Sequence, residues 1–341
     1  MTSPVWQIKK GVWAGATICS APAISQWFVG GAADITSKGK LILINSGLSE
    51  AIIDVEIWSE SGIQPPKVVT LKANSSVVQS LDSLDPGAKR IALHIAPRSG
   101  RVNAFLVDER GRGLKALGGD MVNASPDPSK VVVIPAIPHM KRSGKALGHT
   151  LRVIAPGDVD ARISVELIST KGSFVPLGFD DRAIKAGIVT EIALNPELIP
   201  STFALKITSD RPIVASVYSS TYADSKSDFV WSTSTAEMKE YSLAVSGLAP
   251  TLVFAGEKIS ISLSILYTNK KEKKLTITGE GIATFKVPEN ARTINFTKVS
   301  DETVGGSLIS TQSGFGYLPL IPGSELTRVL LPSANIRVLN P

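Results

Sequence analysis

The feature that most restricts this chain is a repetition. Residues 41–62, LILINSGLSEAIIDVEIWSESG, recur 110 positions later as residues 151–172, LRVIAPGDVDARISVELISTKG, with no gap. Nine of the 22 positions are identical, among them Gly47/Gly157, Ile53/Ile163, Val55/Val165, Glu56/Glu166, Ser59/Ser169 and Gly62/Gly172. Ile53, Val55 and Ile57 alternate with Asp54, Glu56 and Trp58. That period of two places every second side chain on one buried face of a strand. The pattern predicts a β-hairpin whose turn holds Gly47 or Gly157 at positive φ, a conformation that costs glycine little. Asp54 and Glu56 then fall on a solvated strand face.

The similarity continues beyond the hairpin. Ala92-Leu93-His94-Ile95 corresponds to Ala204-Leu205-Lys206-Ile207, and Val102-Asn103-Ala104 to Ile213-Val214-Ala215. A weaker third copy sets Leu263, Ile265, Leu275 and Ile277 opposite Leu41, Leu43, Ile53 and Val55. Its expected strands lie near 284–287, 293–297, 307–310, 326–331 and 336–339. Many short strands at this spacing predict an all-β protein of three tandem β-sandwich (immunoglobulin-like) repeats of about 110 residues. The expected divisions are 1–112 (with an N-terminal extension), 113–224 and 225–341. Helical periodicity is nearly absent; residues 224–239 are the one place for a short helix.

Composition narrows the function. The 341 residues are 43% apolar and 19% charged, which is globular, and the net charge of +6 comes from 36 basic and 30 acidic residues. That balance is a mixed surface rather than a nucleic-acid footprint. A single cysteine, Cys19, forbids an intrachain disulfide, and the three histidines His94, His139 and His149 lack the spacing of a zinc site. No apolar run reaches membrane-spanning length. Lys9-Lys10, residues 11–19 and Ala21-Pro22-Ala23 imitate an export signal, but the apolar stretch is short and a proline sits in the cleavage box. A strand of the folded protein is expected there, with any leader upstream of this chain.

Motifs for chemistry are missing. There is no G-x-S-x-G, Ser37-Lys38-Gly39-Lys40 has no partner motifs, and Ser143-Gly144-Lys145 lacks the rest of a phosphate loop. The five tryptophans are scattered, so no aromatic platform for a sugar is expected. Two basic segments stand out: Lys141, Arg142 and Lys145 in a loop before the second repeat, and Lys270, Lys271, Lys273 and Lys274 in the hairpin turn of the third. With Trp58, which has outward parity on its strand, these are the candidate polymer or partner contacts. Two alternatives accompany them: turn lysines that are simply solvated, and a tryptophan that packs against a neighbouring unit.

Residues 27–31 (WFVGG), 118–138 (GGDMVNASPDPSKVVVIPAIP), 150–178 (TLRVIAPGDVDARISVELISTKGSFVPLG) and 208–220 (TSDRPIVASVYSS) carry a resemblance. They resemble an actinobacterial domain-of-unknown-function family of exported or membrane-anchored β-repeat proteins found in cell-envelope gene neighbourhoods. The resemblance covers most of residues 13–220 and fades over the third unit. It implies an extracytoplasmic address and no known activity. The family pattern has a second cysteine where this chain has Val29, so Cys19 stands without that partner. The expectation is a non-catalytic extracytoplasmic scaffold or interaction protein of the cell envelope, with no cofactor and no metal. Its partner would be an envelope protein, and any membrane anchoring would come from a segment outside this chain. The alternative is a module that binds an anionic or carbohydrate envelope polymer.

Overall fold

The computed structural model describes residues 3–9, 13–196, 201–223, 226–312 and 314–323. They form an all-β protein with no α-helix; Leu81–Ser83 is a single 3-10 turn. The strands expected near 326–331 and 336–339 lie outside the described residues.

Two four-stranded sheets make the first unit. One runs Lys115–Val122, Asn103–Arg112, Lys40–Asn45, Ser75–Ser80; the other runs Gln26–Val29, Ile91–Ser99, Ala51–Ser59, Gly62–Leu71. Alternate residues of both face inward, so Leu41, Leu43 and Leu106 from one sheet meet Ile53, Val55, Ile57 and Leu93 from the other in one core. The second unit reproduces this strand order around one 22-residue strand, Thr202–Ala223. Its first half pairs with Ser129–Pro138 and Ala161–Ser169, and its second half with His149–Ile154 and Lys226–Thr233. The long strand therefore does the work of Ile91–Ser99 and Asn103–Arg112 together.

This arrangement corrects the predicted hairpin. Lys40–Asn45 and Ala51–Ser59 do not pair with each other; they belong to opposite sheets, and residues 46–50 cross between them. His149–Ile154 and Ala161–Ser169 are separated in the same way. Asn45 fixes the crossing: its amide donates to the carbonyls of Ser49, Leu71 and Lys72, and its oxygen accepts the Gly47 N–H at 2.9 Å. Gly47 and Gly157 are not at positive φ. The glycines that are, Gly62 (φ 103) and Gly172 (φ 116), close the true two-residue hairpins. There Ser59 and Ser169 accept the N–H groups of Ser61 and Lys171, which explains why both pairs of positions are identical.

The third unit has a different plan. Thr251–Tyr267 and Glu272–Lys286 pair directly as a long hairpin, with Leu263 opposite Leu275 and Ile261 opposite Ile277. Ala291–Val299, Val304–Thr311, Tyr241–Ala244 and Gly314–Pro319 complete its six-stranded sheet. The short helix considered over 224–239 is corrected to strand Lys226–Thr233. Its Phe-Val-Trp run is β-favouring, and eight registered positions along Thr202–Ala223 satisfy its backbone. Phe229 and Trp231 from this strand enter the first unit's core.

The units are joined by buried apolar faces. Trp27, Trp58 and Ala92 pack on Ile154, Val189 and Val214 between the first two. Ile168, Ala204 and Val230 pack on Val253, Val304 and Tyr317 between the second and third. The N-terminal hairpin, Ser3–Lys9 with Trp13–Cys19, seats Ala16 and Ile18 against Ile309 and Leu318. The Trp13 ring lies so close to Gly119 that a β-carbon there would sit 2.8 Å from it.

Candidate functional site

Three polar assemblies occupy the junctions between units. The first is centred on the buried Arg152, Trp231, Asp108, Asp120 and Asp228, with Glu191 and Arg110 partly exposed at its rim. Arg152 of strand His149–Ile154 donates to the carbonyls of Gly31 and Ile91 and to Glu191 at 2.7 Å, with its guanidinium 4.7 Å from the Trp231 ring centre. Trp231 Nε1 donates to Asp108, Trp231 N to Asp120, and Gly119 N to Asp228. Burial pushes the Asp120 carboxyl well above its usual range, reinforced by the nearby Asp228 and Asp108 charges. Burial likewise pushes Asp228 up to about 7, against the hydrogen bonds it accepts from Gly119 and its neighbours. Desolvation works against the Arg110 charge, but Asp108 at 3.0 Å more than offsets it and the guanidinium is held more strongly protonated. Among the described residues, no group of His, Cys, Asp or Glu is arranged to hold a metal ion.

The second assembly is a hydrogen-bond chain at the edge of the first junction. His94 Nδ1 lies 2.7 Å from Glu56 Oε2, His94 Nε2 lies 3.0 Å from the Ser25 hydroxyl, and Ser25 donates to Asp127 at 2.6 Å. Serine, histidine and carboxylate in this order have the outline of a nucleophile with its base. The proton inventory argues otherwise. Two oxygens 2.6 Å apart need a proton between them, and the Ser25 hydroxyl supplies it to Asp127. In this geometry the hydroxyl proton is not aimed at His94. Its ring is also stacked on Trp27 at 4.3 Å. The chain ties Asp127, on the segment leading to the second unit, to the sheet of the first.

The third assembly is open. Between the second and third units lies a cavity of about 830 Å³. Val131, Val133, Ile168, Ala255 and Val304 give it an apolar floor, and Asp127, Glu166, Glu237, Glu257 and Glu302 line it with carboxylates. Lys206 is the one basic residue of the lining, 4.0 Å from Glu257. Glu166 projects from the outer face of Ala161–Ser169 opposite Lys206, the register position that Glu56 and His94 occupy in the first unit. Glu257 is the extra residue of a β-bulge, set between the pairs Gly256–Gly281 and Lys258–Glu280. Ser234, only 4% exposed, also lines the cavity. The identity of Glu56 and Glu166 in outward positions was the only sequence signal for this region. The other carboxylates come from segments far apart in the chain.

The candidate contact residues lie elsewhere. Lys141, Arg142 and Lys145 are exposed on a small hairpin, with Ser143 (φ 51) and Gly144 (φ 78) forming its turn and Arg142 5.8 Å from the Tyr222 ring centre. Lys270, Lys271, Lys273 and Lys274 are exposed at the tip and first residues of the third unit's long hairpin, on a different sheet. Trp58 is 4% exposed and stacked on Trp27 at 5.2 Å, so its face is covered by the second unit and is closed to an outside ligand. That stack also corrects the expectation that the tryptophans are scattered. Glu56 and Asp54 are not simply solvated, since they pair with His94 and Arg98. Cys19 is exposed, while Val29 is buried in the first junction.

No helix among the described residues is long and apolar enough to cross a membrane. No curated protein matches the chain. A crystal structure titled Thermotoga maritima 1070 is similar at 17% identity and a TM-score of 0.28, covering 30% of this chain and 93% of its own, a likeness too low to carry an argument. A family model, described as a family of unknown function (DUF5719), matches residues 5–288. That match spans both fully repeated units and most of the third, and the chain belongs to this family of unknown function.

Proposed function

We propose that this protein is a non-catalytic, extracytoplasmic interaction module of the cell envelope, built from tandem immunoglobulin-like sandwich units, with the cleft between its second and third units as the partner site. One observation carries the reading. The other junctions are closed by apolar packing and buried ion pairs, whereas this one keeps an open cavity of about 830 Å³ lined by five carboxylates. Open carboxylates over an apolar floor suit recognition of a complementary surface. The commitment of the Ser25 proton to Asp127 supports the non-catalytic reading, and the family resemblance supports the envelope address.

The test is affinity capture from envelope extract on immobilised wild type and on Glu257→Lys/Glu302→Lys, with soluble glycan as competitor. A partner retained by wild type, lost by the variant and indifferent to glycan is the expected result. Equal retention on both columns, or elution by glycan, overturns the cleft as the site. A second reading, binding of an anionic polymer, is favoured by the exposure of Lys270, Lys271, Lys273 and Lys274 at one hairpin tip.

A further inference from the structure

Resting on that interaction reading, we propose that the cleft binds an extended polypeptide segment bearing lysine or arginine, added as a strand beside Val131 on the edge of Ser129–Pro138 that faces away from Thr202–Ala223. Two independent features converge on this occupant.

Charge is the first. The chain as a whole is basic, at +6, yet the cleft gathers carboxylates from residues 127, 166, 237, 257 and 302 against a single lysine. Five separate segments supply them, so the local reversal of sign is a property of the fold. Such a surface attracts cationic partners and repels anionic polymers.

The strand edge is the second. Among the described residues, Ser129–Pro138 has one ladder partner, Thr202–Ala223. On its other edge, at one point, the Thr235 N–H already donates to the Val133 carbonyl at 3.2 Å. In an antiparallel ladder, residues two apart turn their backbone groups to the same side, so Val131 presents its groups on that edge too. The Val131 N–H is met by the Ser129 hydroxyl at 3.3 Å, a bond a rotating side chain gives up at little cost. Val131 is half exposed in the cavity lining. An incoming strand therefore finds main-chain partners, apolar contacts on one face and carboxylates around them, the combination used in strand addition.

The experiment uses the full chain and a fluorescent peptide of alternating valine and lysine, followed by anisotropy. Its comparators are the same peptide with glutamate for lysine, the same peptide with a backbone-methylated main chain, and spermine as competitor. Binding should weaken by about tenfold or more from about 50 to about 300 mM salt. The glutamate peptide, the methylated peptide and the Glu257→Lys/Glu302→Lys protein should each lose about tenfold or more. Both substitutions are at exposed positions, and an unchanged thermal unfolding curve confirms that the fold is retained. Equal binding of the methylated peptide, or complete displacement by spermine at matched charge, would show a site for cations without strand addition and overturn the proposal. Absence of binding also overturns it. If an envelope partner is still captured through the cleft in that case, the interaction reading survives with a different partner class.

Discussion

The guanidinium of Arg152 lies over the indole of Trp231, 4.7 Å from the ring centre, with both side chains excluded from solvent. Arg152 comes from the second unit's sheet, and its donors end on Gly31, Lys89 and Ile91 of the first. Trp231 belongs to a strand of the second sheet and fills the first unit's core. The two units are thus one body by construction, and the pair tests it. Arg152→Met should destabilise the protein by about 3–5 kcal/mol, because the hydrogen bonds from its buried guanidinium to Glu191 and to the carbonyls of Gly31, Lys89 and Ile91 are lost together. The double change Arg152→Met/Glu191→Met should recover part of that loss. Urea denaturation of the three proteins is the measurement; a double variant no better than the single would contradict the argument.

Stability should fall as pH rises from about 4 to about 7 through Asp228. Its folded pKa is raised to about 7 from 3.8, so over that window the folded protein keeps a proton that the unfolded chain has lost. The contribution is fully present below the unfolded value and is gone above about 7. Asn at this position keeps the oxygen that accepts the Gly119 N–H. Asp228→Asn should therefore fold and lose a slope of up to about 1.4 kcal/mol per pH unit. Urea midpoints at several pH values, wild type against variant, decide it; parallel pH profiles would refute it.

His149 should act in the opposite sense. Burial, aided by the neighbouring His139, lowers its pKa to about 4 from 6.5. The unfolded chain then takes up a proton between about 6.5 and about 4 that the folded state refuses, so stability drops as pH falls through that window. The ring titration of His149 by NMR should run well below that of an ordinary histidine. A midpoint near 6.5 would show that the site is wet.

Core positions and paired surface positions should separate cleanly. Ile53→Ala or Ile163→Ala should cost about 2–4 kcal/mol, since both are fully enclosed between sheets. Glu56→Ala should cost about 0.5–1.5 kcal/mol through loss of the His94 bond, more than a solvated glutamate and far less than the core residues. Chemical denaturation is sufficient to rank them.

Neutralising the third unit's hairpin tip separates solubility from binding. If Lys270, Lys271, Lys273 and Lys274 hold an anionic polymer, the four-fold Lys→Gln variant should lose about an order of magnitude in cell-wall co-sedimentation at low salt. Equal sedimentation of both proteins would retire that role.

Ile53, Val55, Ile163 and Val165 show what the sequence decided alone. Alternation with a period of two is local: it fixes strand and inward face whatever the strand pairs with. All-β character, the repeat and its interval followed from it. The choice of partner strand is not local. The same alternation serves Lys40–Asn45 and Ala51–Ser59 in opposite sheets and Thr251–Tyr267 and Glu272–Lys286 in one hairpin. Only Asn45, by spending its amide on Leu71 and Lys72 across the fold, marks the first as a crossing. Trp58 read as outward, and outward meant the neighbouring unit, a fact its own strand does not contain. The cleft is the extreme case. Residues 127, 166, 237, 257 and 302 have no spacing in common, and what brings their carboxylates together is how the third unit packs on the second through Val253, Val304 and Ile168. Apolar packing between units is non-directional and is fixed by the shapes of finished surfaces, so it exists only once the tertiary structure does.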